Sequence, residues 1–434
     1  MKNLFINAGL LVVVALMIAL LAWLPVVALA ASLLLTAWLA LARSGRRTVS
    51  VTAVGISTLR NRIGSSSVIV IGIAGVVGVL VALLAMGEGF RATLQAGGRD
   101  DTAIVLRGGS VSESASILVR DDIEIVSQAP GIALDGTGKP LVSAELMVPV
   151  RVRNKSETED GNIPLRGVDG NAWILRPQLK IIEGRAFKPG LRELVVGQSA
   201  RGQFAGLNPG NDLKLGAQAW KIVGVFASGD AHDSELWGDR QSIAAVYRRG
   251  SSVSSILVKL SGASGSAPLQ AALQADPRVT VTAATTREFF SKQSEGVVNI
   301  TRMVGTVVAG IMGIGAVLGA LNCMFAAVMT RSREIATLRA IGFQGLPVLI
   351  SVLLETMLLA LAGGLLGALI AWLVFNGYSV STRSGFTQVA FQFQVTPALM
   401  WVGLQWALAI GFIGGLFPAV RAVRLPVTTA LREL

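Results

Sequence analysis

Three patterns alternate along the chain: long unbroken apolar runs, a central region of short alternating segments, and one brief amphipathic stretch set between two of the runs. Residues 4–42 are nearly continuous hydrocarbon. As a single helix at ~1.5 Å per residue they would far exceed a ~30 Å bilayer core. Pro25 lies near the middle and can break such a helix. Lys2 stands at one end and Arg43, Arg46 and Arg47 at the other, so both ends prefer the cytoplasm. The pattern predicts a two-span hairpin over residues 1–43. A signal peptide cleaved after Ala28-Leu29-Ala30 is the rival, but the apolar run continues well beyond that point and then meets arginines. Residues 44–67 are basic and free of acids, with Val49, Val51, Val54, Ile56 and Leu59 as apolar positions, and they read as a cytoplasmic interfacial helix. Further spans are expected over 68–87, 303–329, 348–375 and 399–417, six in all with both termini inside.

Between the first and second of these later spans, residues 88–300 change character. Charges of both signs, prolines and short alternating segments predict a folded α+β domain of ordinary size. Strands are expected at 102–106, 145–152, 193–196, 219–225, 243–247 and 256–260. Helices are expected at 121–128, with Asp121 as N-cap and Asp122 in the first turn, and at 268–275. Turns at 207–210 and 216 make 193–227 a subdomain candidate, residues 285–300 read as a helical stalk, and 376–397 as a short outer loop.

Residues 331–343 are the amphipathic stretch. As a helix they place Ile335, Leu338 and Ile341 on one stripe and Arg333 and Thr337 on the other side. Gly342 suits a C-cap and Pro347 the first turn of the next helix. A charged helix between two spans lies at a membrane surface, and its arginines make that surface cytoplasmic. On charge alone, a solvated loop that merely fixes orientation is equally consistent with this pattern.

Composition sharpens the picture. The chain is 52% hydrophobic and only 15% charged, with a mean hydropathy of +0.62; soluble domains carry ~25% charged residues. Its net charge is +12. Twelve bases flanking the apolar runs on one side, among them Arg60, Arg62, Arg331, Arg333, Arg339, Arg421 and Arg424, face only Glu334 and Glu433, and so account for +10 of that. This is an orientation signal in contact with membrane lipid, not a nucleic-acid footprint. The single cysteine, Cys323, lies in an apolar run and reads as a packing residue, and the single histidine, His232, as a surface or structural one; neither suggests a metal site. Glycines at 72, 75 and 78, at 305, 310, 313, 315 and 319, and at 363, 364 and 367 would let helices approach closely in lipid: Gly72, Gly75, Gly78, Gly310, Gly313, Gly363, Gly364 and Gly367 are the packing candidates. The first set lacks the lysine of a nucleotide loop. No Walker A sequence occurs, and Gly197-Gln198-Ser199-Ala200 fails as a nucleophile elbow because Arg201 replaces the second glycine. Glu355 is the one acid within a span: a functional candidate, or a carboxylate that snorkels or bonds a neighbouring helix.

The stretch Arg333-Glu334-Ile335, Leu338-Arg339-Ala340 and Gly342 resembles the FtsX-like permease family, and within it the macrolide-exporter (MacB) type of ABC permease. The resemblance extends to Leu84-Ala85-Met86-Gly87-Glu88-Gly89, to Leu354-Glu355 with Gly363-Gly364-Leu365-Leu366-Gly367, to Pro418-Ala419-Val420-Arg421-Ala422 and to Thr429-Ala430-Leu431-Arg432. It implies a polytopic α-helical protein of the bacterial inner membrane. A four-span core (68–87 and 301–434) follows the hairpin, with a large periplasmic α+β domain inserted after the first core span. In that family the loop here numbered 330–346 docks on a separate ATPase, so Arg331, Arg333, Glu334, Ile335, Leu338, Arg339, Ile341 and Gly342 are its expected contacts. ATP and Mg would belong to that partner, and this chain would hold no cofactor and catalyse nothing. A second permease copy, as a homodimer, and in the macrolide-exporter type an adaptor and an outer-membrane channel, complete the expected assembly. Export is the leading expectation. Lipoprotein release is the alternative within the family, and so is a scaffold for a cell-wall hydrolase, which the large outer domain disfavours.

Overall fold

The computed structural model describes residues 63–155, 160–262, 265–330, 332–340, 345–384 and 387–424. The N-terminal hairpin, nearly all of the interfacial helix, Arg331, Ile341 and Gly342, and the closing 425–434 lie outside the described residues. The chain divides into two compact units. One comprises the chain up to Met86, Ile300–Asn376 and Gln394–Leu434; the other comprises Gly87–Asn299 and Gly377–Phe393.

Helix α1 (Ile63–Ala96) opens the described chain and runs nine residues past the predicted span end. The sheet unit then follows as β1 (Thr102–Arg107), α2 (Arg120–Ser127), β2 (Val142–Arg153), β3 (Asp160–Val168), α3 (Asn171–Leu175), β4 (Lys180–Gly184), β5 (Glu193–Gly197), α4 (Gln198–Gln203), β6 (Asp212–Leu215), β7 (Gln218–Ala227), β8 (Leu236–Asp239), α5 (Arg240–Val246), β9 (Ser255–Lys259), α6 (Ser266–Ala275) and β10 (Val281–Thr285). These strands form one sheet in the order β10-β1-β9-β2-β3-β8-β5-β7-β4, with β6 added on β7. Pairing is antiparallel except for β3–β8 and β5–β7.

Strand β2 holds the sheet unit together. Its first residues, Val142 to Glu145, pair with β9, and from Leu146 onward it pairs with β3. The change of partner separates two cores. Val105, Val126, Ile256, Leu269 and Leu273 fill one, around β1, β9 and β10. Leu146, Ile163, Leu165, Val196, Trp220 and Ile243 fill the other.

Several expectations need correction. Residues 243–247 are not a strand but lie largely in α5. Asp239 caps that helix, its carboxylate accepting from Ser242 N at 2.9 Å, and this local bond decides between two readings of an apolar run too short to show its period. Asp121 is not the N-cap of α2. Val119 is, and Asp122 reaches back to accept from Val119 N at 2.8 Å. Residues 193–227 form no separate subdomain, because β5 and β7 share a sheet and a core with β2, β3 and β8. The outer loop is not irregular. Strands β11 (Ser379–Ser384) and β12 (Thr387–Gln392) make a hairpin belonging to the sheet unit. Phe391 meets Phe90 edge-on at 5.5 Å, and Ala390 N donates to Ser234 Oγ at 2.9 Å.

The helical unit contains α1, α7 (Thr286–Thr330), α8 (Ser332–Ala340), α9 (Gly345–Phe375) and α10 (Pro397–Arg424). Among the described residues four helices (α1, α7, α9 and α10) are long and apolar enough to cross a membrane. Helix α7 has 45 residues, ~67 Å of helix, so it extends well beyond any ~30 Å hydrocarbon core. Helix α10 continues through Pro418, where a tail was expected to begin.

Glycines set the contacts here, though not all of the expected ones. A Cβ at Gly363 would come within 3.0 Å of Ile73, at Gly364 within 2.7 Å of Ala407, and at Gly367 within 3.0 Å of Val77. Gly78 and Gly313 have looser neighbours at 3.6 and 3.5 Å. Gly72, Gly75 and Gly310 face open space, since a run of glycines does not say which side of a helix will meet a neighbour. The last span supplies contacts the sequence reading passed over: a Cβ at Gly403 would reach Val77 at 2.8 Å and at Gly415 would reach Thr356 at 2.9 Å. Gly364→Val should therefore destabilise the α9–α10 pair by roughly 1–3 kcal/mol through overpacking, while Gly72→Ala should leave the fold unchanged. Thermal unfolding of the two purified variants in detergent distinguishes these outcomes.

Candidate functional site

Helix α8 realises the amphipathic stretch between α7 and α9. Its orientation differs from the simple reading. Ile335 is 8% exposed and Ala336 3%, and Ile335 belongs to the apolar core of the helical unit together with Val328, Val348 and Ala422. An Ile335 committed to that core is not free to fill a groove on a partner. Thr337 and Ala340 are exposed, and Ser332 and Arg339 are half-buried. The side chains of Arg333, Glu334 and Leu338 lie outside the described part. Among the α8 residues whose side chains are described, Thr337 and Ala340 are the exposed ones that a partner could meet.

Glu355 is 4% exposed, beside Ser351 and Thr356 at 4% and 0%, and it is not without a partner. Burial among helices, rather than reach to an interface, describes it. Cys323 packs partly buried against the same core.

The sheet unit holds a charged cluster that no sequence pattern announced. Arg166 on β3 is 2% exposed. Its Nε and Nη2 donate to Glu235 at 2.7 and 2.8 Å, and its Nη1 and Nη2 to Glu113 at 2.8 and 2.9 Å. Nη1 also donates to Glu145 at 2.8 Å. Arg176, at the end of α3, grips Glu145 from the other side at 2.6 and 2.8 Å. Ser255 Oγ donates to Glu113 and Trp237 Nε1 to Glu235. Burial alone would raise the Glu113 carboxyl, but the Arg166 charge and hydrogen bonds hold it down at about 2. Glu145 is lowered by Arg176 and Arg166 against the same opposing effect of burial. Glu145 is the residue at which β2 changes partner, so the cluster lies at the seam between the two cores.

His232 adjoins this cluster. It is buried rather than at the surface, with Nδ1 2.8 Å from Asp230 Oδ1 and its ring edge-on to Trp237 and Phe290. Burial would lower its pKa, but the charges of Asp230 and Glu235 prevail and raise it. A raised histidine contributes stability that is present below its unfolded pKa and lost as pH rises through the folded one. Among the described residues no group of three or more His, Cys, Asp or Glu side chains could hold a metal.

Comparison with known proteins fits both units. The model of the MacB-like periplasmic core domain matches residues 66–276, and that of the FtsX-like permease C-terminal domain matches residues 306–427. The chain belongs to the FtsX-like permeases of the MacB type. The pyoverdine export ATP-binding/permease protein PvdT of Pseudomonas entomophila is 26% identical to this permease over 399 residues, 84% of this chain and 56% of that protein. The macrolide export ATP-binding/permease protein MacB of Bordetella avium is 25% identical over 401 residues, 84% of this chain and 57% of that protein. The permease thus spans little more than half the length of these relatives. The solved periplasmic region of MacB from Actinobacillus actinomycetemcomitans matches with a TM-score of 0.35 at 17% identity, covering 44% of this chain and 92% of that one. The FtsX-like match contains α8, α9 and α10, and the periplasmic match contains Arg166, Arg176 and their three carboxylate partners, Glu113, Glu145 and Glu235. This permease is a multi-pass membrane protein, and its sheet unit is its periplasmic core domain.

Proposed function

We propose that this chain is the permease subunit of an ABC exporter of the MacB type, driven by a separate ATPase that docks on α8. The observation that carries the reading is α8 itself: a short helix with charged ends, anchored by Ile335 and exposed at Thr337 and Ala340, placed between two spans of a family-matched permease region. In this reading the ATP and Mg are held by that ATPase. ATP-driven approach of two such partners would move α8, and the long helix α7 would carry the movement to the periplasmic core domain. The bases clustered beside the spans favour a cytoplasmic α8 and cytoplasmic termini. Affinity purification of the tagged permease from its native membrane should bring down an ABC ATPase in about equal amount, the partner stoichiometry expected of one docking helix per chain. A preparation containing no ATPase would overturn the reading. An unlike second permease in it would redirect the reading to lipoprotein release.

Helix α7 supports a second copy as the other partner. Ile300, Val304, Val307, Ile311, Ile314 and Leu318 are all exposed by 42% or more, and they follow one another at alternating steps of four and three residues. That spacing is one that the seam of a helix pair would use. Ile311→Cys, in a Cys323→Ser background, should form disulfide-linked dimers in native membranes on mild oxidation. Ile370→Cys, exposed on α9 outside this stripe, should not. Cross-linking at Ile370 alone would move the dimer seam to α9.

A further inference from the structure

A groove of about 550 Å³ lies on the periplasmic core domain, lined by Arg240, Gln241, Ala244, Ala245, Arg248 and Gly250. It is built from α5 and the turn that ends it. Two features of its arginines are out of the ordinary. The Arg240 Nε is buried and has no hydrogen-bond partner among the described residues, although a buried donor left unpaired is costly. Asp169 attracts Arg240 electrostatically, but the hydrogen bond its carboxylate accepts comes from Asn171 N at 3.1 Å. The second feature is Arg248. Arg249 N donates to Ala244 O at 2.9 Å and Arg248 N to Ala245 O at 3.4 Å, which is the helix-ending pattern that favours glycine at the position Arg248 occupies. Arg248 has φ 53°, the one positive φ at a non-glycine position among the described residues. Glycine would sit there without strain. The chain instead holds a cationic side chain in the lining of the groove, eight residues, or about two helical turns, beyond Arg240.

We propose that this groove binds an oxyanion, the carboxylate or phosphate of a small acidic molecule, clamped between the guanidinium groups of Arg240 and Arg248 with the Gln241 amide beside them. A planar guanidinium presents paired donors that match either group, and such charge-assisted bonds are the strong ones. The anion would give the groove-lining guanidinium of Arg240 a charged partner and would account for an arginine at a glycine position. The docking of an ATPase on α8 is not needed for this site, so either reading can fail alone.

The test uses the full-length protein purified in a non-ionic detergent at constant ionic strength. Inorganic phosphate is titrated and followed by its ³¹P line width, and citrate is added as a competitor in a second arm. The wild type should broaden the phosphate signal saturably. Arg240→Gln and Arg248→Gly should each weaken binding about tenfold or more, as expected for loss of a bond to a charged group. Arg249→Gln, exposed but outside the groove, should weaken it less than twofold. Arg248→Gly should also melt no lower than the wild type, because it relieves the positive φ; that separates lost binding from lost folding. Citrate displacement would mark the site as one for carboxylates as well, and failure to displace would restrict it to phosphate. Absence of any saturable binding of either anion, or an equal loss in Arg249→Gln, would show only diffuse surface charge and overturn the proposal.

Discussion

Arg166→Met is expected to lower the stability of the periplasmic core domain sharply at neutral pH, with a loss that shrinks as pH falls. Arg166 donates five hydrogen bonds to three carboxylates, and every one of these side chains is under 10% exposed. Methionine fills a similar volume but leaves Glu113, Glu145 and Glu235 facing one another, with Arg176 and the neighbouring His232 to offset them. Removing one partner from a buried ionic network costs roughly 3–5 kcal/mol, because the charges left behind are uncompensated. That is a large share of the ~5–15 kcal/mol by which domains are stable. In the wild type the folded-state pKa of Glu113 is depressed to about 2 and that of Glu145 is lowered as well. Their contribution is therefore present above the unfolded value of ~4.3 and is lost as pH falls toward the folded value. In the variant, burial and mutual repulsion act without Arg166 and push the same carboxyls up. Groups so raised stabilise the fold at low pH and lose that contribution as pH rises. The variant should accordingly gain more in melting temperature from pH 7 to pH 5 than the wild type, where raised groups such as His232 already supply some of that gain. Thermal melts of the purified full-length chains, followed by near-ultraviolet circular dichroism, measure this. An unchanged melting temperature at pH 7, or a wild-type-like response to acid, would mean that the cluster contributes little to stability.

What the sequence made legible follows from the range over which each signal acts. The four described spans announce themselves because a helix in hydrocarbon needs some twenty apolar residues in a row. Strands β1, β2, β5, β7 and β9 were readable from short apolar alternation. Strand β3 was not, because Asn162, Pro164 and Gly167 read as turn signals, while the side chains around them are covered on both faces. Strand β8, Leu236-Trp237-Gly238-Asp239, is too short and too mixed to show a period. The charged cluster is illegible for a different reason. Its members lie at 113, 145, 166, 176 and 235, on separate elements, and each taken alone looks like an ordinary solvated charge. On the membrane side, Gly363, Gly364 and Gly367 were found because they cluster, whereas the contact made by Gly415 depends on where Thr356 falls on another helix. The amphipathic helix was legible as a helix, but its facing was not. Ile335 marks the apolar stripe, and only the position of its neighbours in the core decides that Ile335 points into the chain's own interior.

That facing sets the strongest test of the proposed coupling. Thr337→Asp should leave the permease inserted and folded but strip it of its ATPase. Thr337 is exposed on α8, so a carboxylate there changes the outward side without entering the core. Truncating or spoiling a central docking residue commonly costs ~2 kcal/mol or more, and an unpaired charge inside a desolvated contact costs further. A loss of about thirtyfold or more in affinity follows from the first figure alone. Ile335→Asp should behave differently. It places a carboxylate where the side chain is 8% exposed within the helical unit, so the permease itself should fail to accumulate in the membrane. The pair therefore separates docking from folding. The measurements are the amount of chain recovered in detergent, the ATPase subunit that copurifies with it, and ATP turnover by the complex. If Thr337→Asp retains its full complement of coupled ATPase, α8 only orients the chain in the membrane, and the energy for transport must enter through another surface.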